Sequence, residues 1–222
     1  TSPVGILVSA AHCNGCTGQV RVGCSNPASC TGQSIGISQF SQHPSYNPGT
    51  ISSDIAVVRL SSAITQSGAS TITLAQVEPS IGATRVTGYG ITQTGGIPSQ
   101  LQTMSTNKIE RSQCQSIMNS ACGGGCNVDN TMVCIRGGNA GQDNQPTMCS
   151  GDSGGPMANG NQLYGVNSWV LQGSGSGCNG CNCCSGFPQV GANVAQFYSW
   201  INNQVSQINQ EYYQSLNKTE SV

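Results

Sequence analysis

Short apolar or alternating segments recur along most of the chain, and turn-forming residues separate them. Such segments lie at 34–40, 55–60, 85–89 and 162–170, and a cluster of Pro, Asn and Gly at 43–49 is typical of the stretches between them. Many short strands bounded by turn signals are typical of antiparallel barrels and sandwiches. The pattern therefore predicts an all-β fold, and it contains no internal repeat.

The last part of the chain has a different period. Apolar residues recur there at the three- and four-residue spacing of one helix face. They are Val194, Phe197, Ile201, Val205, Ile208, Tyr212 and Leu216. We expect an amphipathic helix over about 194–216 that packs on the domain rather than on a membrane, because its polar face lacks a Lys/Arg cluster. The triplet that starts at Asn217 is also a glycosylation sequon, and its occupancy is left open.

Composition narrows the class of protein. The chain has 222 residues, a formal net charge of −1 and only 7% charged residues. This length suits one all-β domain. A net charge so close to zero does not indicate a basic surface that would bind nucleic acid or an anionic membrane. Cysteine is abundant, with 13 residues, which indicates an oxidising compartment and disulfides. We therefore expect a secreted, extracellular protein.

Three short motifs carry candidate chemistry. His12 lies in AAHC, Asp54 begins DIA, and Ser153 lies in GDSGGP. Taken singly, a structural histidine, a strand-capping aspartate and a Gly-Ser turn would each explain one motif. A simple turn does not explain the Asp before the Ser or the Pro after the glycines. In this order the three motifs are the signature of the chymotrypsin/trypsin family, which the chain resembles over almost its whole length.

The resemblance implies a fold and a reaction. The expected fold is all-β, with two six-stranded antiparallel Greek-key barrels, the first of them incomplete, and a C-terminal α-helix. One trypsin-like serine protease domain is expected at 1–222, divided at about 1–90, 91–193 and 194–216. The implied activity is that of a secreted serine endopeptidase that cleaves peptide bonds through an acyl-enzyme.

The resemblance also assigns the catalytic roles. Ser153 is the implied nucleophile, His12 the general base and acid, and Asp54 the residue that orients the histidine. The backbone N–H groups of Gly151 and Ser153 are the implied oxyanion hole. Ser168 corresponds to a residue beside the buried aspartate.

Five residues are expected to bind substrate. Thr147 stands at the base of the implied specificity pocket, where an acid would select Lys or Arg. Val170 and Gln189 replace wall glycines, and Ser168 and Trp169 belong to the substrate-binding strand. Together they favour cleavage after small or medium uncharged residues. A partly blocked pocket that accepts little is the alternative.

Cysteine pairing is predicted only in part. The resemblance implies disulfides Cys114–Cys134 and Cys149–Cys178, to which we add Cys24–Cys30 as a local bridge. The unpaired remainder is Cys13, Cys16, Cys122, Cys126, Cys181, Cys183 and Cys184. The Cys-x-x-Cys spacings resemble zinc sites, but disulfides are the stronger expectation in this composition. No acid precedes Asp54, which argues against calcium near Cys24. No metal or cofactor is expected.

Asp152 has a further implied role. In the family, cleavage of a zymogen frees an N-terminal amine that pairs with this aspartate. The sequence contains no such N-terminus, so we expect an incomplete sequence of an ordinary protease, with Asp152 a buried carboxylate lacking its partner. This exact chain is then expected to be poorly active or inactive.

The expected partners follow from the protease interpretation. They are polypeptide substrates and protein inhibitors of a monomeric enzyme, with no nucleic acid and no membrane. The alternative is a non-catalytic member of the fold that binds or inhibits another secreted protein. All three implied catalytic residues are present, which disfavours that alternative.

Overall fold

We describe a computed structural model of the chain, which covers residues 3–16, 18–92, 96–136, 147–171 and 187–219. Its described strands form a four-stranded sheet and a larger sheet that closes into a barrel. The strands are β1 (Ile6–Ser9), β2 (Gln19–Val22), β3 (Gln33–Gln42), β4 (Ala56–Leu60), β5 (Thr73–Leu74), β6 (Gly82–Gly88), β7 (Gln102–Ile109), β8 (Met132–Arg136), β9 (Pro156–Asn159), β10 (Gln162–Val170) and β11 (Gln189–Asn193). The helices are α1 (Arg111–Ala121) and α2 (Val194–Thr219).

The four-stranded sheet is a half-barrel with the strand order β1-β4-β3-β2. Strand β4 is buried at every position except Arg59, in keeping with its mostly apolar sequence. Strands β1 and β4 are antiparallel, and Ser9 at the end of β1 lies opposite Ala56 at the start of β4. The segment that follows β1 and the segment that precedes β4 therefore lie at the same end of these two strands. His12 and Asp54 belong to these two segments.

The second sheet is a closed six-stranded barrel. Its strand order is β11-β8-β7-β6-β9-β10, and pairing of β10 with β11 closes it. Strand β5 adds a seventh, parallel strand beside β10. The prediction of an all-β fold with a closed barrel and a less complete partner is confirmed.

The sheet pairing differs from the expected division near residue 90. Strand β6 lies inside the range 1–90, yet it pairs with β7 and β9 of the closed barrel. Turn residues mark where a strand ends, but they carry no information about which sheet the strand joins. The division of the chain into ranges stays a prediction.

Helix α2 fastens the two sheets together. It begins at Val194, as predicted, and ends at Thr219, three residues beyond the expected end. Phe197 and Ile201 belong to one buried cluster with Val57 of β4 and Val166 of β10. None of the described helices is long and apolar enough to cross a membrane.

Helix α1 has no counterpart in the sequence-based prediction. Its two buried apolar side chains are Cys114 and Met118, one turn apart. A stripe of that length is too short to reveal a helical period. Apart from Ile117 and Ala121, the remaining positions are polar, and the helix is held to the barrel by the disulfide Cys114–Cys134.

Two further disulfides lie among the described residues. Cys24 pairs with Cys30, as expected, and Cys122 pairs with Cys126, for which no pairing was predicted. Cys149 is also disulfide-bonded, and its predicted partner Cys178 lies outside the described residues, as do Cys181, Cys183 and Cys184. Cys13 and Cys16 are in no disulfide within the described part of the chain.

Candidate active site

His12 and Asp54 are joined by two hydrogen bonds at the edge of the half-barrel. His12 lies in a short 3-10 helix, Ala11–Cys13, that follows β1. Its backbone N–H donates to Asp54 Oδ1 at 2.8 Å, and its Nδ1 lies 2.7 Å from Asp54 Oδ2. A carboxylate can only accept, so Nδ1 carries the proton and donates it. In the neutral ring, Nε2 is then left as the acceptor.

Asp54 is 1% exposed, and its charge is satisfied by donors. Besides the two bonds from His12, Ser168 Oγ of β10 donates to Oδ2 at 2.5 Å. Burial of a charge without such partners would be strongly unfavourable. The aspartate therefore links the half-barrel to the closed barrel.

This pairing changes the protonation of the histidine. The hydrogen bond to Asp54 raises the pKa of His12 from 6.5 to about 10, and the Cys13 side chain raises it further. Burial lowers this pKa, but by less than these two contacts raise it. The protonated ring is therefore favoured at neutral pH until another group accepts or competes for the proton. Any reaction in which His12 acts as a base is expected to accelerate as pH rises.

Ser153 lies on a tight turn that precedes β9. Gly151 and Gly154 on either side have φ angles of 100° and 78°, a left-handed region that favours glycine. The turn is pinned by Gly154 N–H, which donates to the Asn167 carbonyl at 2.8 Å, and by Asn167 Nδ2, which donates to the Asp152 carbonyl at 3.1 Å. The Ser153 side chain is consequently presented at the surface of the molecule.

The backbone donors of this turn fall into two groups. The N–H groups of Asp152, Gly154 and Gly155 donate to carbonyl oxygens of the protein. Those of Gly151 and Ser153 donate to no acceptor within the described residues. Two N–H donors that no protein group occupies, beside an exposed hydroxyl, are available for an oxyanion hole.

His12 and Ser153 are brought into the same region without being hydrogen bonded to each other among the described contacts. The link is the residue after the serine. A Cβ placed on Gly154 would lie 3.3 Å from Cys13 Sγ and 3.4 Å from Ala10 N, so the turn packs directly on the segment that carries His12. Catalytic hydrogen bonds are often loose or absent without substrate.

A pocket of about 190 Å³ opens beside Ser153. Its described lining residues are uncharged, and they are Met148, Cys149, Ser150, Ser153, Asn167, Ser168, Trp169 and Val170. Of the five predicted substrate-binding residues, Ser168, Trp169 and Val170 line this pocket. Thr147 does not line its described part, and its hydroxyl donates to the Met148 carbonyl.

Gln189 also lies outside the described lining of the pocket. It is 2% exposed in β11, and its Oε1 accepts from Met148 N–H at 3.0 Å. Its structural surroundings are thus those of a buried residue that holds the pocket-lining segment at Met148 in place. Alignment of single positions could not distinguish a wall residue from one behind the wall.

A family model described as Trypsin matches residues 3–201 of the chain. The chain belongs to the trypsin family. Trypsin beta of Drosophila erecta is 40% identical over 206 residues, which cover 89% of this chain and 74% of that protein. Trypsin alpha of Drosophila melanogaster is 40% identical over 204 residues, covering 88% and 72%. Trypsin alpha-3 of Lucilia cuprina is 40% identical over 170 residues, covering 75% and 92%.

Membership of the trypsin family makes this chain a serine-type endopeptidase. The resemblance inferred from the AAHC, DIA and GDSGGP motifs is confirmed by the match across residues 3–201. Polypeptides are accordingly its substrates, and peptide-bond hydrolysis is its reaction.

Asp152 differs from the expectation of a buried carboxylate. In this trypsin-family chain it is partly exposed, and it accepts from the backbone N–H groups of Gly90 at 2.8 Å and Cys149 at 2.9 Å. The carboxylate lies against Gly88 and Gly90, where any Cβ would collide with it. Because Gly88 and Gly90 have no side chains, their backbone can lie against the Asp152 carboxylate. The sequence motifs did not predict this contact.

Asn167 is a residue of the site that sequence reasoning missed. It is fully buried, lines the pocket and exchanges backbone hydrogen bonds with Gly154 and Gly155 of the serine turn. Its place directly before Ser168 on the substrate-binding strand was the available signal. A polar residue in the middle of a buried strand indicates a specific hydrogen-bonding role.

Proposed function

We propose that this trypsin-family endopeptidase works through His12, Asp54 and Ser153 as its catalytic triad. The observation that carries the proposal is the buried Asp54 carboxylate bonded to His12 Nδ1, with the glycine turn of Ser153 packed on the same segment. Ser153 Oγ attacks the scissile carbonyl while His12 Nε2 takes its proton. The same nitrogen then protonates the leaving amine.

The oxyanion formed in this step needs donors that are aimed before it appears. The N–H groups of Gly151 and Ser153 supply them, which agrees with their lack of acceptors within the described residues. Removal of one such donor costs roughly 10²- to 10³-fold in turnover in enzymes of this kind.

The pocket supports cleavage after small or medium uncharged residues. Val170 and Met148 both line it, and none of its described lining residues carries a charge. A Lys or Arg side chain would find no carboxylate among them. A panel of peptide substrates that differ only at the residue before the cleaved bond tests this preference, and faster cleavage after Arg than after Ala or Val would contradict it.

A secreted, disulfide-stabilised enzyme fits the cysteine-rich composition and the disulfides of the structure. The site of action is therefore proposed to be extracellular. Detection of the protein in the medium rather than in the cell extract of its source checks this. Retention in the reducing cytosol would contradict it.

Covalent labelling of Ser153 tests the triad. A fluorophosphonate reacts with a serine only where a base and an oxyanion hole activate it, so the full chain should be labelled, and peptide mapping should place the label on Ser153. Ser153→Ala should abolish labelling. Ser150→Ala, which removes another pocket hydroxyl from the same turn, is the matched control and should remain labelled. We expect labelling because Asp152 finds two backbone donors in the structure, against the sequence-based expectation of a poorly active or inactive chain. A wild-type chain that stays unlabelled would contradict the proposed triad in this chain.

A further inference from the structure

The loop that delivers Asp54 to His12 has a strained backbone. Ile51 and Ser53 both have φ angles of 56°, in the left-handed region that non-glycine residues rarely adopt. Such conformations persist only where the surroundings hold them. Ser53 is buried and directly precedes Asp54, so whatever holds Ser53 also sets the position of the carboxylate.

The holding contacts come from the other sheet. Ser53 N–H donates to Thr131 Oγ1 at 3.0 Å, and Ser52 Oγ donates to Asp129 Oδ2. Asp129 and Thr131 lie in the turn before β8 of the closed barrel. That turn is fixed in its own sheet by Asn193, whose backbone N–H donates to the Thr131 carbonyl at 2.8 Å.

The direction of these hydrogen bonds makes Asp129 essential to the arrangement. Thr131 Oγ1 donates its single proton to Asp129 Oδ1 at 2.5 Å, so its lone pairs point elsewhere and can accept from Ser53 N–H. Thr131 N–H donates to the same Asp129 oxygen at 2.8 Å. The carboxylate thus orients the hydroxyl that orients the loop.

Asp129 is charged where this network needs an acceptor. Burial alone would raise the pKa of Asp129, but hydrogen bonds from Ser52 and Thr131, with the nearby Arg111, outweigh it and hold the pKa below its usual value. A charged acceptor makes the bonds from Ser52 and Thr131 stronger than bonds between neutral groups.

We propose that Asp129 and Thr131 are positioning residues for Asp54, acting through Ser52 and Ser53 across the junction of the two sheets. They touch neither substrate nor the reacting atoms. The inference rests on the proposed function only in giving Asp54 its role as the partner of His12. A displacement of about 1 Å at a catalytic group can cost roughly 10²-fold in rate, which is enough to detect.

Two matched variants at one position test the proposal. Thr131→Val keeps the shape and removes the hydroxyl, and Thr131→Ser keeps the hydroxyl and removes the methyl group. We expect Thr131→Val to lower kcat and the fluorophosphonate labelling rate roughly 10- to 100-fold with KM within about twofold. Thr131→Ser should retain most of both. Thr106→Val is the control, because Thr106 is a buried threonine of β7 in the same barrel and its hydroxyl has no described partner.

A second readout does not depend on turnover. The chain has only two histidines, so the ring signal of His12 can be followed by NMR and assigned by its loss in His12→Ala. In Thr131→Val and Asp129→Ala the pKa of His12 should fall toward 6.5, because a displaced Asp54 makes a longer and less well aligned hydrogen bond with His12 Nδ1. Thr106→Val should leave it unchanged.

The outcomes separate the two proposals. If Thr131→Val loses thermal stability while kcat and the titration of His12 stay at wild-type values, the residue is merely structural and this inference is overturned. If Ser153→Ala retains wild-type turnover, the proposed triad fails, whatever the titration shows. If the pKa of His12 falls in Thr131→Val but not in Thr131→Ser, the positioning role is supported whether or not turnover is measurable.

Discussion

Asp54 is 1% exposed and accepts three hydrogen bonds, whereas Ser153 is exposed and its N–H donates to no acceptor within the described residues. Asp54, the proposed triad carboxylate, is held by contacts from both sheets. Ser153, the proposed nucleophile, is held by its neighbours through a glycine turn that leaves its own N–H without an acceptor among the described residues. In the proposed mechanism, folding alone positions Asp54 against His12, whereas the serine turn keeps its donors for the substrate.

The largest effect is expected from removal of the nucleophile. Ser153→Ala should reduce turnover by roughly 10⁶-fold, because no other group can form the acyl-enzyme. The fold should be unaffected, since the hydroxyl lies at the surface. Peptide hydrolysis together with a thermal melt measures both. Residual turnover within tenfold of the wild type would show that Ser153 is not the nucleophile.

Asp54→Asn should have the next largest effect. The remaining amide oxygen can keep the bond from the His12 backbone N–H, which leaves the NH₂ group facing Nδ1. That group donates, so Nδ1 must accept and the ring proton moves to Nε2, and turnover should drop by about 10⁴-fold. The pH dependence should change as well. The wild-type rate should rise with pH through a midpoint above 6.5, because only unprotonated His12 is a base and Asp54 raises the pKa of His12 to about 10. In Asp54→Asn that midpoint should move down toward 6.5. An unchanged pH profile would contradict the pairing.

Gly154→Ala tests the contact between the serine turn and the segment that carries His12. Its Cβ would collide with Ser9 and approach Cys13 Sγ to 3.3 Å, so the serine turn should move away from His12. We expect about 10²-fold slower fluorophosphonate labelling. Gly160→Ala is the control, because Gly160 also has positive φ, at 56°, but a Cβ there would meet nothing within 4 Å. Equal loss in both variants would mean that backbone strain, not the contact, is responsible.

Ser168→Ala should have the smallest effect of the four. It removes one of the donors to Asp54 and leaves the carboxylate less well satisfied, at a cost of about 2 kcal/mol in unfolding free energy. Urea unfolding measures this. Ser38→Ala, which removes an exposed hydroxyl from β3, should change the unfolding free energy by less than about 0.5 kcal/mol. Equal effects of the two substitutions would show that the hydrogen bond from Ser168 to Asp54 does not stabilise the fold.

The parts of the molecule that sequence reasoning predicted are those encoded locally. The mostly apolar segment of β4, the helical period of α2 and the motifs around His12, Asp54 and Ser153 are each encoded within one continuous stretch of sequence. Sheet membership of β6 could not be predicted in the same way, because pairing is decided by residues far along the chain. The contact of Thr131 with Ser53 spans 78 residues and has no local signature.

The chemistry of the pocket shows the same limit. Val170 was expected in the pocket from its position after Trp169, and it lines the pocket, but Gln189 and Thr147 could not be separated from true lining residues by counting along the chain. The resemblance implied an oxyanion hole at the backbone N–H groups of Gly151 and Ser153, and that role stays a prediction. Asn167 was missed because its role lies in bonds to a turn that precedes it by more than ten residues.

The rate of fluorophosphonate labelling as a function of pH, with the label mapped to its residue, tests the proposed triad most directly. We expect labelling of Ser153 alone, at a rate that rises with pH through a midpoint above 6.5 and that is lost in His12→Ala. Labelling that is independent of pH, that survives His12→Ala, or that maps to another residue would contradict a triad of His12, Asp54 and Ser153.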